Sequence, residues 1–207
     1  MRIAVFASGS GSNCQALIDA AHSGELHGEV VLVMSNRSKA MVLERAREAG
    51  IDAVYRSKRQ FDDDGAYAAA LASLLKQYEI ELICLAGYLK KLPPSVVQAY
   101  LGRIVNIHPA LLPDFGGPGM YGHHVHEAVL AAGCKESGVS IHFVTEHYDE
   151  GPVIAQMRVP VEPDDTAETL AARVLKAEHA LYPRVVAAIA DGKITMTDNR
   201  VVGSLDA

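Results

Sequence analysis

The alternation of short apolar runs with longer helix-like stretches over the first hundred residues constrains the fold of this chain more than any other feature. Strands that are apolar throughout, rather than at every second residue, have to be covered on both faces, and such strands belong to parallel sheets. The sequence therefore predicts an α/β fold with a doubly wound, mostly parallel sheet and helices on both faces. The predicted strands span residues 2–7, 30–34, 53–55, 81–86 and 103–107, and the predicted helices span residues 13–21, 41–49, 67–78 and 94–100.

The pattern changes after residue 107. Residues 109–122 contain three Pro and four Gly, too many for regular structure, so this segment is predicted to be a long loop of the kind that carries function. A short helix is expected over residues 124–132, followed by two longer strands over residues 138–145 and 153–161. Residues 166–190 predict a long last helix, capped by Asp165 or Thr166 and kinked at Pro183.

The composition is that of a globular protein. Of its 207 residues, 49% are hydrophobic and 21% are charged, and the formal net charge of −6 argues against a basic surface that binds nucleic acid. The three cysteines, Cys14, Cys84 and Cys134, are widely spaced, which argues against a disulfide framework and for a reducing compartment. The sequence suggests neither a secretory leader nor a run of the roughly 20 apolar residues that span a membrane. A cytoplasmic protein without a membrane partner is expected.

The first strand runs into a glycine-rich loop, SGSGSN at residues 8–13, and a helix follows at once. Two glycines allow a tight turn, and the free N–H groups of Gly11, Ser12 and Asn13 at a helix start favour a phosphate. The dinucleotide fingerprint fails, because Cys14 stands where the third glycine belongs and no acidic residue closes the second strand. A monophosphate is therefore expected rather than NAD. The alternative is an ordinary tight turn in which Asn13 caps the helix.

An amide and an imidazole end the fifth predicted strand, and a carboxylate lies in a later loop. Asn106 and His108 are two residues apart, so on a strand their side chains point to the same side. An amide can donate a hydrogen bond to a developing oxyanion, and a histidine can transfer a proton near neutral pH, with Asp149 favouring its protonated form. No obvious Ser or Cys nucleophile accompanies them, which favours direct attack by a substrate group on a bound carbonyl. The alternative is that His108 is a satisfied polar residue without a chemical role.

Five further histidines raise the question of a metal site. A helical pair spaced i, i+4 with a glutamate between the two would be convincing, and that spacing is absent from the sequence. His123 and His126 are instead expected at the surface, at the start of a helix. No metal is expected. The other three of these five histidines are His124, His142 and His147.

Several motifs, in this order, resemble those of one enzyme family. They are SGSGSN (8–13), LAGYL (85–89), NIHPALLP (106–113), HFV (142–144), DEGPVI (149–154) and EHALYP (178–183). Together they extend over nearly the whole chain, and the combination is specific although each piece alone is weak. The chain resembles the phosphoribosylglycinamide formyltransferases, which are folate-dependent enzymes of purine synthesis.

The resemblance implies transfer of a formyl group from the co-substrate 10-formyltetrahydrofolate to the amine of glycinamide ribonucleotide. Asn106 would then steady the formyl oxygen, His108 would act as general acid on the tetrahedral intermediate, and Asp149 would raise the pKa of His108. The ribonucleotide would be held by Gly11, Ser12, Asn13, Lys176 and Glu178. The folate would be held by Leu89, Lys90, Lys91, Leu92, Asn106, Thr145, Glu146, His147, Tyr148 and Asp149.

The resemblance also implies how the chain is organised. Residues 1–207 would form a single formyltransferase domain. Phosphate would be bound by residues 1–100, and the folate and catalytic loops would lie in residues 85–155. The substrates would be small molecules, with no nucleic acid, membrane, metal or NAD involved, and the protein would be a monomer or a homodimer.

Three positions depart from the pattern of the family. The loop at residues 116–122 is longer than its usual Pro-Gly-containing counterpart. Asp64 replaces a basic residue that often stands before the third helix, so one folate contact is expected to be missing. Leu175 stands where a polar or basic phosphate contact is often found, and the neighbouring Lys176 is taken as the candidate instead.

Other functions have to be weighed against formyl transfer to an amine. In a 10-formyltetrahydrofolate hydrolase of the same superfamily, water replaces the amine, but those relatives usually carry an additional N-terminal domain. Methionyl-tRNA formyltransferases share the Asn-x-His-Pro core but add a basic C-terminal domain, which is not expected in this acidic chain. A non-catalytic nucleotide-binding module would need only the first loop, and it would leave Asn106, His108 and Asp149 without a purpose.

Overall fold

Seven strands form one sheet in the computed structural model, which describes residues 1–205. In chain order they are β1 (Arg2–Ala7), β2 (Glu29–Ser35), β3 (Asp52–Tyr55), β4 (Leu82–Leu85), β5 (Ile104–His108), β6 (Glu136–Phe143) and β7 (Val153–Pro160). Their order across the sheet is β3-β2-β1-β4-β5-β6-β7. The first five are parallel, whereas β6 is antiparallel to β5 and β7 is antiparallel to β6. The predicted mostly parallel sheet is confirmed.

Six α-helices lie within residues 1–205 and cover both faces of the sheet. They are α1 (Ser12–Ser23), α2 (Met41–Glu48), α3 (Asp64–Gln77), α4 (Pro94–Ala99), α5 (His123–Ala131) and α6 (Ala167–Ala190). Helices α3 and α4 contribute to the core on one face, and the other four contribute to the core on the opposite face. The predicted doubly wound arrangement is therefore confirmed. Residues 206–207, which the predicted domain includes, lie outside the described part of the chain.

The central strands supply side chains to both cores in turn. In β1, Ile3 and Val5 belong to the core that contains α1 and α6, whereas Ala4 and Phe6 belong to the core that contains α3 and α4. All four side chains are fully buried. This two-sided burial is the physical reason that β1 reads as a continuous apolar run instead of an alternating one.

The predicted elements differ from the observed ones by a few residues at their ends, and three short elements were not predicted. One is a 3₁₀ helix at Lys58–Gln60. The others form a hairpin near the end of the chain, in which β8 (Ile194–Thr197) pairs with β9 (Arg200–Gly203). Thr166, rather than Asp165, caps α6, and that helix continues without a break through Pro183.

The register between β5 and β6 brings distant residues face to face. Asn106 lies directly opposite His142, and His108 lies opposite Ser140. Directly opposed residues of an antiparallel pair have side chains close enough to interact. The end of β5 and the antiparallel strand β6 therefore form the frame of the candidate site.

A buried tyrosine on α6 ties the last helix to this part of the sheet. The hydroxyl of Tyr182 lies 3.0 Å from the carbonyl oxygen of Leu85 and 3.3 Å from that of Val105, and the side chain is fully buried. A buried hydroxyl that donates to strand carbonyls stabilises the packing of α6 on β4 and β5.

We expect Tyr182→Phe to lower the free energy of unfolding by about 1–2 kcal/mol, because buried strand carbonyls lose a donor. Urea denaturation measures the change. The matched control is Tyr78→Phe, whose hydroxyl binds Asp52 at the surface and whose loss should cost less than about 0.5 kcal/mol. Equal losses in the two variants would contradict this account of α6 packing.

Candidate active site

A cavity of about 600 Å³ opens beside the ends of β4 and β5. Its volume lies within the range that small-molecule sites usually have. The wall is built from the segment after β4, the end of β5, the loop before α5, the loop after β6 and one side of α6. The structure brings Asn106, His108 and Asp149 together on this wall.

Asp149 is the point at which these segments meet. Its Oδ2 accepts a hydrogen bond from the backbone N–H of Gly117 at 2.9 Å and lies 3.7 Å from Nδ1 of His108. Its Oδ1 lies 3.4 Å from Nδ2 of Asn106 and 3.5 Å from Nε2 of His142. The backbone of Asp149 has a φ of 55°, which is uncommon outside glycine but better tolerated by Asp than by bulkier residues.

Asp149 is held in its ionised form. Burial raises the pKa of its carboxyl group, but the neighbouring His142 and His108 rings and the N–H of Gly117 together outweigh burial, so the net pKa lies below its ordinary value. The carboxylate is thus negatively charged although its side chain is only 11% exposed. It can stabilise a positive charge that develops on a neighbouring imidazole.

His108 is buried, and burial is the largest influence on the pKa of its ring. Burial lowers the pKa of the imidazole below the ordinary 6.5, and the opposing effects of Asp149 and the Phe115 carbonyl do not fully compensate. Asp149 therefore raises the pKa of His108 as predicted, but the net shift is downward. Nε2 lies 2.8 Å from the Phe115 carbonyl oxygen, to which it donates, so Nδ1 is the nitrogen left to exchange a proton beside Asp149.

The predicted ribonucleotide residues are only partly brought to the cavity. Asn13 and Glu178 both line it, and Nδ2 of Asn13 donates to Oε2 of Glu178 at 2.5 Å. Burial raises the pKa of Glu178, and the bond from Asn13 only partly opposes this effect. The interpretation of Asn13 as a helix cap is wrong, because Gly11 is the N-cap residue, with a φ of 76°.

The remaining ribonucleotide candidates lie outside the cavity wall. Gly11 and Ser12 precede Asn13 at the start of α1, where backbone N–H groups have no partner within the helix. Lys176 is exposed on α6 and does not line the cavity, whereas the neighbouring Leu175 does.

Most of the predicted folate residues line the cavity in two segments. Residues 89–92 form the first segment, and the N–H of Leu89 donates to Oγ of Ser8 at 2.9 Å. The second segment contains Thr145, His147, Tyr148 and Asp149, whereas Glu146 does not line the cavity. The ammonium of Lys91 lies 5.6 Å from the centre of the Tyr148 ring, a cation–π distance that joins the two segments.

The long loop before α5 takes part in the site. Residues 117–122 line the cavity, and Gly117 supplies the N–H that binds Asp149. Asp64, which departs from the sequence pattern of the family, lies away from the cavity. It is exposed and pairs with Lys58.

His126 was predicted to lie at the surface, and this is wrong. Its side chain is buried and lines the cavity, and the helix that carries it, α5, packs against α6. Burial lowers the pKa of His126, and His123 and His108 lower it further. His123 itself is exposed, as expected.

Among residues 1–205, no group of three or more His, Cys, Asp or Glu side chains is arranged so that it could hold a metal ion. In the same part of the chain, no helix is both long enough and apolar enough to cross a membrane. His142 lies beside Asn106 and Asp149 in this site, and the sequence alone assigned it no role beyond its place in the HFV motif.

The sequence profile of the formyl transferase family matches residues 1–186. The phosphoribosylglycinamide formyltransferase of Escherichia coli (strain K12) is 43% identical over 199 residues, which make up 96% of this chain and 92% of the bacterial protein. The chloroplastic phosphoribosylglycinamide formyltransferase of Vigna unguiculata is 45% identical over 193 residues, which make up 93% of this chain. The chain spans 62% of the length of that plant protein.

Solved structures share the fold. Glycinamide ribonucleotide transformylase 1 from Symbiobacterium toebii has a TM-score of 0.92 at 41% identity, over 99% of this chain and 94% of that chain. A formyltetrahydrofolate deformylase from Pseudomonas syringae pv. tomato has a TM-score of 0.87 at 25% identity, over 98% of this chain and 65% of the deformylase. Sequence identity is therefore higher to the transformylase than to the deformylase.

We expect His108 in the folded protein to titrate below 6.5, and lower still in Asp149→Asn, because the carboxylate that stabilises the charged ring is then lost. An NMR pH titration measures both values, with His108→Gln identifying the signal. A folded-state pKa below the unfolded value means that His108 contributes stability above about pH 6.5, and that this contribution is lost as the pH falls through 6.5 towards the folded-state pKa. A ring that titrates above 6.5, or higher in Asp149→Asn, would contradict this account of the site.

Proposed function

The chain belongs to the formyl transferase family, and from that premise we propose that it transfers a formyl group from 10-formyltetrahydrofolate to the amine of glycinamide ribonucleotide, in purine biosynthesis. The observation that carries the proposal is the convergence of Asn106, His108 and Asp149 on the wall of one cavity. An amide donor, a proton carrier and a carboxylate are the groups that acyl transfer to an amine requires.

The chemistry proceeds by direct attack of the substrate amine on the formyl carbon. As the tetrahedral intermediate forms, its oxygen becomes negative, and an N–H of Asn106 stabilises that charge. The amine then loses a proton and the leaving folate nitrogen gains one. His108 carries this proton as general acid, and the Asp149 carboxylate, 3.7 Å from Nδ1, stabilises the charged ring while it does so.

A low resting pKa of His108 is compatible with this role. The neutral ring accepts the proton only when the amine has become acidic in the intermediate, and an imidazole with a depressed pKa releases that proton readily to the leaving nitrogen. Asp149 limits the depression, because its charge raises the pKa of His108 against the effect of burial.

The ribonucleotide is proposed to lie between the start of α1 and α6. The N–H groups of Gly11, Ser12 and Asn13 would receive the phosphate, which helix N-termini favour. Glu178, held by Asn13 at 2.5 Å, would bind the glycinamide end of the substrate. Lys176 lies on the exposed side of α6 and is proposed to reach the phosphate from the rim.

The folate is proposed to lie between the two segments that Lys91 and Tyr148 join. Leu89 and Leu92 would give apolar contact to the pterin, and the backbone of residues 145–149, Glu146 included, would bind its polar edge. The reaction as proposed uses small molecules alone, without nucleic acid, membrane, metal ion or NAD. It suits a monomer or a homodimer, and the sparse cysteines, all of them free, favour the cytoplasm.

We expect purified protein to consume 10-formyltetrahydrofolate only when glycinamide ribonucleotide is present. His108→Ala and Asp149→Ala should each lower kcat/KM by at least about a hundredfold, because each removes a group that acts on the intermediate. Following tetrahydrofolate release with and without the amine substrate measures both effects.

Circular dichroism of the two variants should show an unchanged fold, which separates lost chemistry from unfolding. Formyl loss that does not depend on the amine would favour a hydrolase, and no loss in either mixture would favour a binding module. Near-normal turnover in both variants would contradict the assignment of the residues.

Glu178→Gln should raise the KM for glycinamide ribonucleotide by about tenfold, which corresponds to one charge-assisted hydrogen bond, and leave the KM for the folate unchanged within about twofold. The glutamine can still accept the bond from Asn13, so the packing is kept. Steady-state kinetics with each substrate varied in turn measures the two constants. Glu168→Gln, an exposed position on the same helix, is the control and should change neither. An equal rise in both constants for Glu178→Gln would contradict a ribonucleotide role.

A further inference from the structure

His142 is buried beside the proposed catalytic residues, and the proposed reaction steps do not use it. It lies opposite Asn106 across the β5–β6 pair and is 2% exposed. On its other side the register with β7 shifts between Ile141 and His142. Irregularities of this kind redirect a side chain and are common next to active sites. The registers of β6 with β5 and β7 therefore determine the position of His142.

The tautomer of His142 follows from a single contact. Its Nδ1 lies 2.8 Å from the carbonyl oxygen of Phe143. A carbonyl oxygen can only accept a hydrogen bond, so Nδ1 carries the proton. In the neutral ring, Nε2 then has a lone pair and no proton.

That lone pair faces the amide of Asn106. Nε2 of His142 lies 3.1 Å from Nδ2 of Asn106, a distance at which the amide donates to the ring. The opposite orientation of the amide would place its oxygen against a lone pair. The Asp149 carboxylate, 3.4 Å from the same Nδ2, disfavours that orientation as well. Two acceptors therefore define which end of the Asn106 amide is the nitrogen end.

We propose that His142 is a positioning residue that holds the Asn106 amide with its nitrogen inward, so that one N–H is bound by His142 and the other serves the formyl oxygen. The second N–H is engaged only by the long 3.4 Å contact to Asp149, and the developing oxyanion would replace that contact. The part about the formyl oxygen rests on the proposed formyl transfer, whereas the orientation of the amide does not.

The first test is a measurement of the tautomer, which requires no activity. Protein labelled with ¹⁵N-histidine is examined by long-range ¹H–¹⁵N NMR, and His142→Gln identifies the signals of the ring. We expect the neutral ring of His142 to carry its proton on Nδ1. A proton on Nε2 would overturn the proposal, because that nitrogen could then no longer accept from Asn106.

The second test separates the acceptor from mere packing. His142→Leu keeps a similar volume but removes the acceptor, and it should lower kcat at least about tenfold with both KM values within about threefold of the wild type. His142→Gln offers a side-chain oxygen in place of Nε2 and should recover most of the lost kcat. Ile141→Val, an adjacent buried substitution in β6, is the control and should leave kcat unchanged.

Equal loss in the Leu and Gln variants, or a kcat within about twofold of wild type for His142→Leu, would overturn the proposal. If His142→Leu does not fold, the Gln variant and the tautomer still decide it. A wild-type protein that transfers no formyl group to glycinamide ribonucleotide would overturn the proposed function instead, and the tautomer measurement would then decide the amide orientation alone.

Discussion

The half-buried carboxylate of Asp149 is the group on which the arrangement of the site depends. An ionised carboxylate with an exposed fraction of 11% is costly unless polar groups surround it, and here those groups come from three other segments of the chain. Gly117 donates from the loop before α5, Asn106 and His108 approach from β5, and His142 approaches from β6. Satisfying one charge thus fixes the relative positions of the segments that enclose the cavity.

The antiparallel strand β6 makes this convergence possible. Because β6 reverses the direction of the sheet beside β5, its register places His142 opposite Asn106, and the connection to β7 returns Asp149 to the same pair. Close packing holds that connection in place. A Cβ atom on Gly151 would collide with the carbonyl group of Phe143, so a larger residue there would displace the backbone next to Asp149.

The parallel part of the fold could be predicted because its strands are buried on both faces. Such strands are continuous apolar runs, as in β1 and β4, and can be recognised without knowing which strands they pair with. Asn106 and His108 were recognisable because residues two apart on a strand have side chains that point to the same side. His142 was not, because sequence spacing does not reveal the register of two strands. The net pKa of His108 depends on the balance between burial and a neighbouring charge, which only the three-dimensional environment determines. The β8–β9 hairpin did leave a signal in the sequence, because its turn is the dipeptide Asp198-Asn199, and both residue types tolerate the positive φ that they adopt there.

The central claim is that a substrate amine attacks the formyl carbon directly, without a formylated protein or free formate on the way. Following ¹³C-formyl-labelled 10-formyltetrahydrofolate by NMR in the presence of glycinamide ribonucleotide tests it most directly. We predict that the label passes from the folate signal to a single new amide signal of the formylated ribonucleotide. Label that accumulates in formate, or that remains on the protein after the small molecules are removed, would contradict the account.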